Sequence, residues 1–169
     1  MLFLGVDPGM SGGLSCLFPD GRAEAVIMPC HPKDARKKWG SPLDFHSVCS
    51  IVNAWTKGFR GQSHAVIEHA QAMPKQGIVS TFNYGAGWGG LLCVFQSLRI
   101  PYTLVRPSVW KRKLLGDEMT VGKAGAIAFV LEEFPAINLK RTPRCTTDHD
   151  GMADAVCLAA YGKRHDLKV

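Results

Sequence analysis

MLFLGVDPGMSGGLSCLFPDGRAEAVIM (1–28) is the stretch whose reading decides the fold. Residues 2–6 (LFLGV) form a short apolar run that stops at Asp7, and Pro8-Gly9 and Gly12-Gly13 turn the chain after it. Residues 14–18 (LSCLF) read as a second strand, Pro19-Asp20-Gly21 as a hairpin turn and 22–28 (RAEAVIM) as a third strand. Working outward, residues 29–41 are polar, basic and proline-containing, the composition of a surface loop. Ser41-Pro42-Leu43-Asp44 predicts a helix start, with Ser41 as N-cap and Pro42 at the first helical position, and a helix running to about Gly58. Residues 64–68 (HAVIE) are a short buried strand that again ends on a carboxylate. A loop over 70–79, a helix over 80–98 with a glycine-rich first half, and a fifth strand at 102–105 (YTLV) follow. Pro107-Ser108 opens a short helix carrying Trp110, and 121–134 is a helix ended by Pro135. The last helix spans 149–162, with Thr147 or Asp148 as N-cap and Gly162 near its end. Hairpin signals first and strand–helix alternation later predict an α/β fold with a mixed five-stranded sheet flanked by helices. A chain of 169 residues suits one domain, 1–169, around one full core.

Composition narrows the function classes. An apolar share of 46% favours a packed globule over a disordered chain. No apolar run is expected to reach the ~20 residues of a membrane span, so no membrane partner is expected. The N-terminal MLFLGVDPG lacks a basic leader region and a small-residue cleavage site, and reads as a strand. The protein is therefore expected to act where it is made, unless a leader has been removed. Six scattered cysteines without a C-x-x-C pair predict reduced, mostly buried thiols rather than disulfides or a zinc site. Lys and Arg number 20 against 14 Asp and Glu, and they cluster at Lys33-Arg36-Lys37-Lys38, Lys111-Arg112-Lys113, Lys140-Arg141-Arg144 and Lys163-Arg164. Such clusters point to a polyanionic partner.

Four acids stand out against that basic background. Asp7 and Glu68 end apolar strands, where a carboxylate is poorly solvated and requires a partner. Asp150 and Asp154 are four apart and share one helix face. The rest of that helix (Met152, Ala153, Val156, Cys157, Ala159, Ala160) is apolar, so it packs on the sheet and carries its acids towards the strand ends. Each acid alone has an ordinary reading as a turn starter, a salt-bridge partner or a first-turn dipole partner. Together they can converge on one point. Hard oxygen ligands without His or Cys suit Mg²⁺ or Mn²⁺. A pair of such ions ~3.5–4 Å apart activates water and stabilises the leaving oxygen in phosphodiester hydrolysis.

GVDPGMSGG (5–13), VIEHAQAMPKQGIVSTFNYGAGWG (66–89), RPSVWKRKLLG (106–116) and DHDGMADAVCLAAYG (148–162), in that order, resemble the RuvC-like Holliday junction resolvases, above all their compact phage, bacterial and chloroplast branch. The resemblance implies a ribonuclease H-like fold, a homodimer, two Mg²⁺ ions per site, and symmetric nicking of opposing strands of a four-way DNA junction, in a bacterial or phage-infected cytoplasm or, with a transit leader removed, in a chloroplast. It assigns Asp7, Glu68, Asp150 and Asp154 as metal-binding catalytic residues. The better-known members space the helix pair three apart; Gly151 stands there in this chain, so Asp150 is the equivalent, with Asp148 as the alternative. The family's junction-opening wedge follows the strand Glu; Gln71 and Ala72 occupy that region, and Met73 or Phe82 is the substitute.

The remaining signals are assigned by residue chemistry. Lys75, Gln76, Phe82, Tyr84, Lys111, Arg112, Lys113 and Lys123 are candidate DNA contacts. Gly85-Ala86-Gly87-Trp88-Gly89-Gly90 matches G-x-G-x-x-G but follows no clear strand, and no acid lies about 20 residues on, which argues against a dinucleotide site. Its glycines permit close approach, by a packed helix or by DNA phosphates. Trp110 reads as a core anchor, and His69 and His149 flank the proposed ligands. Two other readings stay open: a ribonuclease H-like nuclease acting on flaps, forks or RNA–DNA hybrids, and a non-catalytic junction-binding module. An actin-like ATPase needs two such domains, for which the chain is too short.

Overall fold

Each of the five expected strands forms, and their pairing explains their composition. In the computed structural model, residues 1–32, 42–72, 77–116 and 124–167 are described. The strands are β1 (Leu2–Asp7), β2 (Gly13–Leu17), β3 (Ala23–Ile27), β4 (Ser63–Glu68) and β5 (Tyr102–Val105), in sheet order β3-β2-β1-β4-β5. The first three are antiparallel neighbours; β4 and β5 join parallel. The central strands β1 and β4 are covered on both faces, which is why they read as unbroken apolar runs. β3 is an edge strand, half-exposed throughout, and carries Glu24, which is paired with Arg22 just before the strand.

Among the described residues, five helices cover the sheet: α1 (Phe45–Thr56), α2 (Ile78–Ser97), α3 (Pro107–Leu115), α4 (Ala124–Glu133) and α5 (Asp150–Arg164). Strand alternation sorts the core into two faces. Leu2, Leu4, Val6, Ala65 and Ile67 pack with Val48 and Val52 of α1 and Leu91 and Phe95 of α2. Val66 packs with Trp110 of α3, Val130 of α4 and Met152 and Val156 of α5. Phe3 meets Ala159 of α5. Odd positions of β1 and even positions of β4 therefore face α5, and the last of each series are Asp7 and Glu68.

Helix boundaries differ from the sequence reading in instructive ways. The N-cap of α1 is Asp44, whose carboxylate accepts from Ser47 N at 3.2 Å and Ser47 Oγ at 2.7 Å; Ser41 lies outside the described residues, and Pro42 precedes the helix. The cap of α5 is His149 rather than Thr147 or Asp148: its Nδ1 accepts from Met152 N at 3.3 Å. Gly162 does not end α5, which runs to Arg164 because Leu158, Ala160 and Tyr161 keep it packed. α2 corrects a composition argument. Its 20 residues contain no charged side chain and are long and apolar enough, by length and composition, to cross a membrane. Ser80, Thr81 and Asn83 near its start and Gln96 and Ser97 at its end disguise that run. The cysteines are all free, as expected, but only Cys16 and Cys157 are buried, and Cys93 is exposed on α2.

The candidate active site, a carboxylate cleft

The acids are brought together because α5 lies close against the sheet. A Cβ on Gly5 would collide with the Ala155 carbonyl, and one on Gly13 would stand 2.7 Å from the Gly151 carbonyl. Ser15 Oγ donates to the Ala155 carbonyl at 2.8 Å and holds the two elements together. Small residues at these crossings let the helix backbone touch the strands. α5 is thus seated with its N-terminal turn over the ends of β1 and β4.

That seating brings the four predicted acids into one electrostatic group. Burial above all, then the charges of Glu68 and Asp154 and more weakly Asp150, hold the Asp7 carboxyl well above the usual carboxylate range, while Lys111 opposes them. Glu68 is also raised, first by burial and then by Asp154; a hydrogen bond from Trp110 and the charge of Lys111 pull the other way. Lys111 Nζ lies 3.2 Å from Asp154 Oδ2. Among the described residues, no three His, Cys, Asp or Glu side chains close to the distances of a preformed metal cage. Like charges without a cation between them stay apart, and the Lys111 ammonium already supplies one positive charge. In donor chemistry the set fits a hard divalent ion: carboxylate oxygens only, one of them in a buried position disfavouring charge unless a cation compensates it.

Asp150, not Asp148, belongs to this group. Lys140 Nζ holds Asp148 Oδ1 at 2.9 Å, which commits that carboxylate elsewhere. The three-apart position is closed for a steric reason. A Cβ at Gly151 would run into the Ser11 carbonyl and stand 2.6 Å from Gly12 Cα. A carboxylate can stand three before Asp154 only if α5 lifts off the β1–β2 turn, so the four-apart spacing is what this packing allows.

Three tryptophan and tyrosine side chains frame Glu68. Trp110 is fully buried, as expected of a core anchor, but its Nε1 also donates to Glu68 Oε2 at 2.9 Å. Trp88 Nε1 donates to the Glu68 carbonyl at 3.1 Å. The Tyr84 hydroxyl is pushed up to about 12, by burial first and then by Glu68 and Asp7. Sequence reasoning placed Tyr84 among DNA contacts and gave neither tryptophan a role here; indole N–H groups within four residues of glycine or lysine carry no signal of their partners. Lys111, expected as a phosphate contact, stands beside the carboxylate group, whereas Arg112 and Lys113 are exposed on α3. His69 Nδ1 is buried and has no hydrogen-bond partner among the described residues, with its ring 5.6 Å from that of Trp88. Phe82 is 72% exposed on the first turns of α2. Lys75, Gln76, Lys123 and Met73 lie outside the described residues. The glycine motif divides: Gly87 is buried and Gly90 abuts the Phe45 ring, while Gly85 and Gly89 face open space.

The fold matches solved structures over nearly the whole chain. Thermus thermophilus RuvC, solved in complex with a Holliday junction substrate, superposes with a TM-score of 0.66 at 20% identity, covering 98% of this chain and 94% of that one. The fold is that of the RuvC resolvases. A second structure of Thermus thermophilus RuvC gives a TM-score of 0.58 at 20% identity, covering 98% of this chain and 97% of that one. The RuvC fold extends to the yeast mitochondrial Holliday junction resolvase Ydc2, with a TM-score of 0.51, 14% identity and coverage of 96% and 77%. No family model and no curated protein matches the sequence.

Proposed function

We propose that this protein is a metal-dependent endonuclease that resolves four-way DNA junctions by paired, symmetric nicks, acting as a homodimer. The observation that carries the reading is the convergence of Asp7, Glu68, Asp150 and Asp154, from two strands and one helix, into a single coupled group within a chain of net charge +6. An acidic pocket on a basic surface suits a phosphodiester that must be held by cations and cut between them. Two Mg²⁺ ions, with Mn²⁺ as substitute, would supply the activated water and the stabilisation of the leaving oxygen. The chain's own part is positional. Asp7 and Glu68 present ligand oxygens from rigid strand ends. The Trp110 indole fixes which Glu68 oxygen turns towards the protein. Lys111 keeps an ammonium beside Asp154, placed to meet a phosphate oxygen once the acids are neutralised.

Two opposed cuts call for two sites related by a dyad. We assign the dimer contact to the outward stripe of α2. Gly85, Ala86, Gly89, Cys93 and Gln96 recur at helical spacing and are half-exposed or exposed without one charge among them. Copies of a chain this basic repel one another except across such a neutral face. DNA phosphates would find no counter-charge on it, which favours a second copy over a duplex there. Phe82, exposed in the first turns of α2 ahead of this stripe, is the wedge candidate among the described residues.

The test is cleavage of a labelled four-way junction in Mg²⁺, wild type beside Glu68→Gln, run with flap and RNA–DNA hybrid substrates. Paired nicks near the crossover, reduced by at least about 10³-fold in the variant (roughly 4 kcal/mol of transition-state stabilisation), are expected. Equal cutting of flaps and hybrids would shift the substrate class. Junction binding without cutting in either Mg²⁺ or Mn²⁺ would make the protein a binding module.

A further inference from the structure

Between α4 and α5 the chain leaves the core at Leu139, which is buried, and returns at His149. The two ends are tied. His149 N donates to the Leu139 carbonyl at 2.8 Å, and Lys140 and Asp148 form an antiparallel bridge. Lys140 Nζ spans the neck, reaching Asp148 Oδ1 at 2.9 Å and the Thr146 carbonyl at 2.8 Å. Asn138 Oδ1 accepts from Lys140 N at 2.9 Å, and Cys145 N donates to the Thr142 carbonyl at 3.0 Å to turn the tip. Arg141, Thr142, Pro143 and Arg144 project from this closed loop, all exposed. Neither arginine has an acidic partner among the described residues. The loop's one acid, Asp148, is neutralised by Lys140, so the tip presents two uncompensated guanidinium groups.

We propose that the loop 140–148 is a phosphate clamp: its bridged neck holds Arg141 and Arg144 against the DNA backbone a few nucleotides from the cut. This rests on the nuclease reading above and adds a contact surface to it. The neck ends at Asp148, two residues before Asp150 of the carboxylate cleft. Half of a seven-residue span reaches at most about 12 Å from that neck, so the tip stays in the neighbourhood of the scissile phosphate. Planar guanidinium groups pair bidentately with phosphate oxygens, and each such contact releases a condensed counterion. A floppy loop would surrender much of that gain to ordering; the Lys140–Asp148 bridge has ordered it beforehand.

The experiment measures the Kd for a labelled four-way junction against KCl concentration, in EDTA, with Glu68→Gln as the parent. Arg141→Ala/Arg144→Ala is expected to lower the slope of log K against log salt by roughly 2, the yield of two lost phosphate contacts, with an unchanged circular dichroism spectrum. Asp148→Asn separates presentation from charge count. Removing an acid tightens DNA binding if charge alone matters, whereas loss of the neck weakens it, and weakening is expected. A parent that binds with a salt slope unmoved by the double arginine substitution overturns the clamp and leaves the nuclease reading standing. Tighter binding by Asp148→Asn overturns the role of the bridged neck. A parent with no affinity for the junction overturns both proposals together.

Discussion

α5 and α2 are both uncharged over most of their length and both rich in glycine, alanine and other small or apolar residues, yet they are used in opposite ways. Every residue of α5 from Gly151 to Gly162 except Asp154 is buried. In α2 only Gly87, Leu91, Val94 and Phe95 are. The difference lies in what their glycines meet. Gly151 of α5 abuts the β1–β2 turn, while Gly85 and Gly89 of α2 meet nothing. Small residues in α5 bring a carboxylate-bearing helix down onto the sheet; small residues on the outer side of α2 leave a shallow, neutral stripe that can receive another helix. Similar composition thus serves a fixed site in one helix and an available surface in the other.

The sharpest way to break this comparison is to fill the glycine that α5 cannot spare. Gly151→Asp would install a carboxylate three before Asp154, but its Cβ meets the Ser11 carbonyl and Gly12. Overpacking of this kind costs roughly 1–3 kcal/mol or more, and urea denaturation should show it as a lower midpoint with unchanged slope. Undiminished stability would mean that α5 is not held where its packing places it. Next in size is Trp110→Phe, which keeps the ring in the core and removes the N–H from Glu68. A loss of about 10–100-fold in Mg²⁺ affinity or cleavage rate is expected, against a small change in melting temperature. On α2, Gly89→Leu should shift sedimentation towards monomer, and mild oxidation of the wild type should trap a Cys93-linked dimer that Cys93→Ala does not form. A monomeric wild type would leave the α2 stripe without its partner.

The smallest effect concerns metal-free stability. A carboxyl whose folded-state affinity for protons is raised favours the fold while protonated. That contribution is present below the ordinary carboxylate range and is lost as pH climbs through the raised value. In EDTA, wild type should therefore lose stability as pH rises above about 4. Asp7→Asn should remove part of this dependence and raise the melting temperature at neutral pH by roughly 2–4 °C, about 1 kcal/mol in a chain of this size. Mg²⁺ should stabilise wild type more than the variant. A variant that melts lower throughout would identify Asp7 as a structural hydrogen-bond acceptor instead.

The strands and the identity of the four acids were legible from the sequence by itself, because apolar runs ending on Asp7 and Glu68, and paired acids on an otherwise apolar helix, are local patterns governed by burial and periodicity. The caps were less so: Asp44 and His149 were passed over because several neighbours offer equally suitable oxygen or nitrogen acceptors. What only the tertiary structure decided are relations between distant residues. Trp110 and Trp88 reach Glu68 across 42 and 20 positions. Lys111 enters the acidic group across 43 positions from Asp154. Asp148 is claimed by Lys140, and Gly151 is forced by the backbone of the β1–β2 turn. A residue's type records what it can bond to, and periodicity records which side it faces; the particular partner is set when helices and strands are stacked, by contacts that no local pattern encodes.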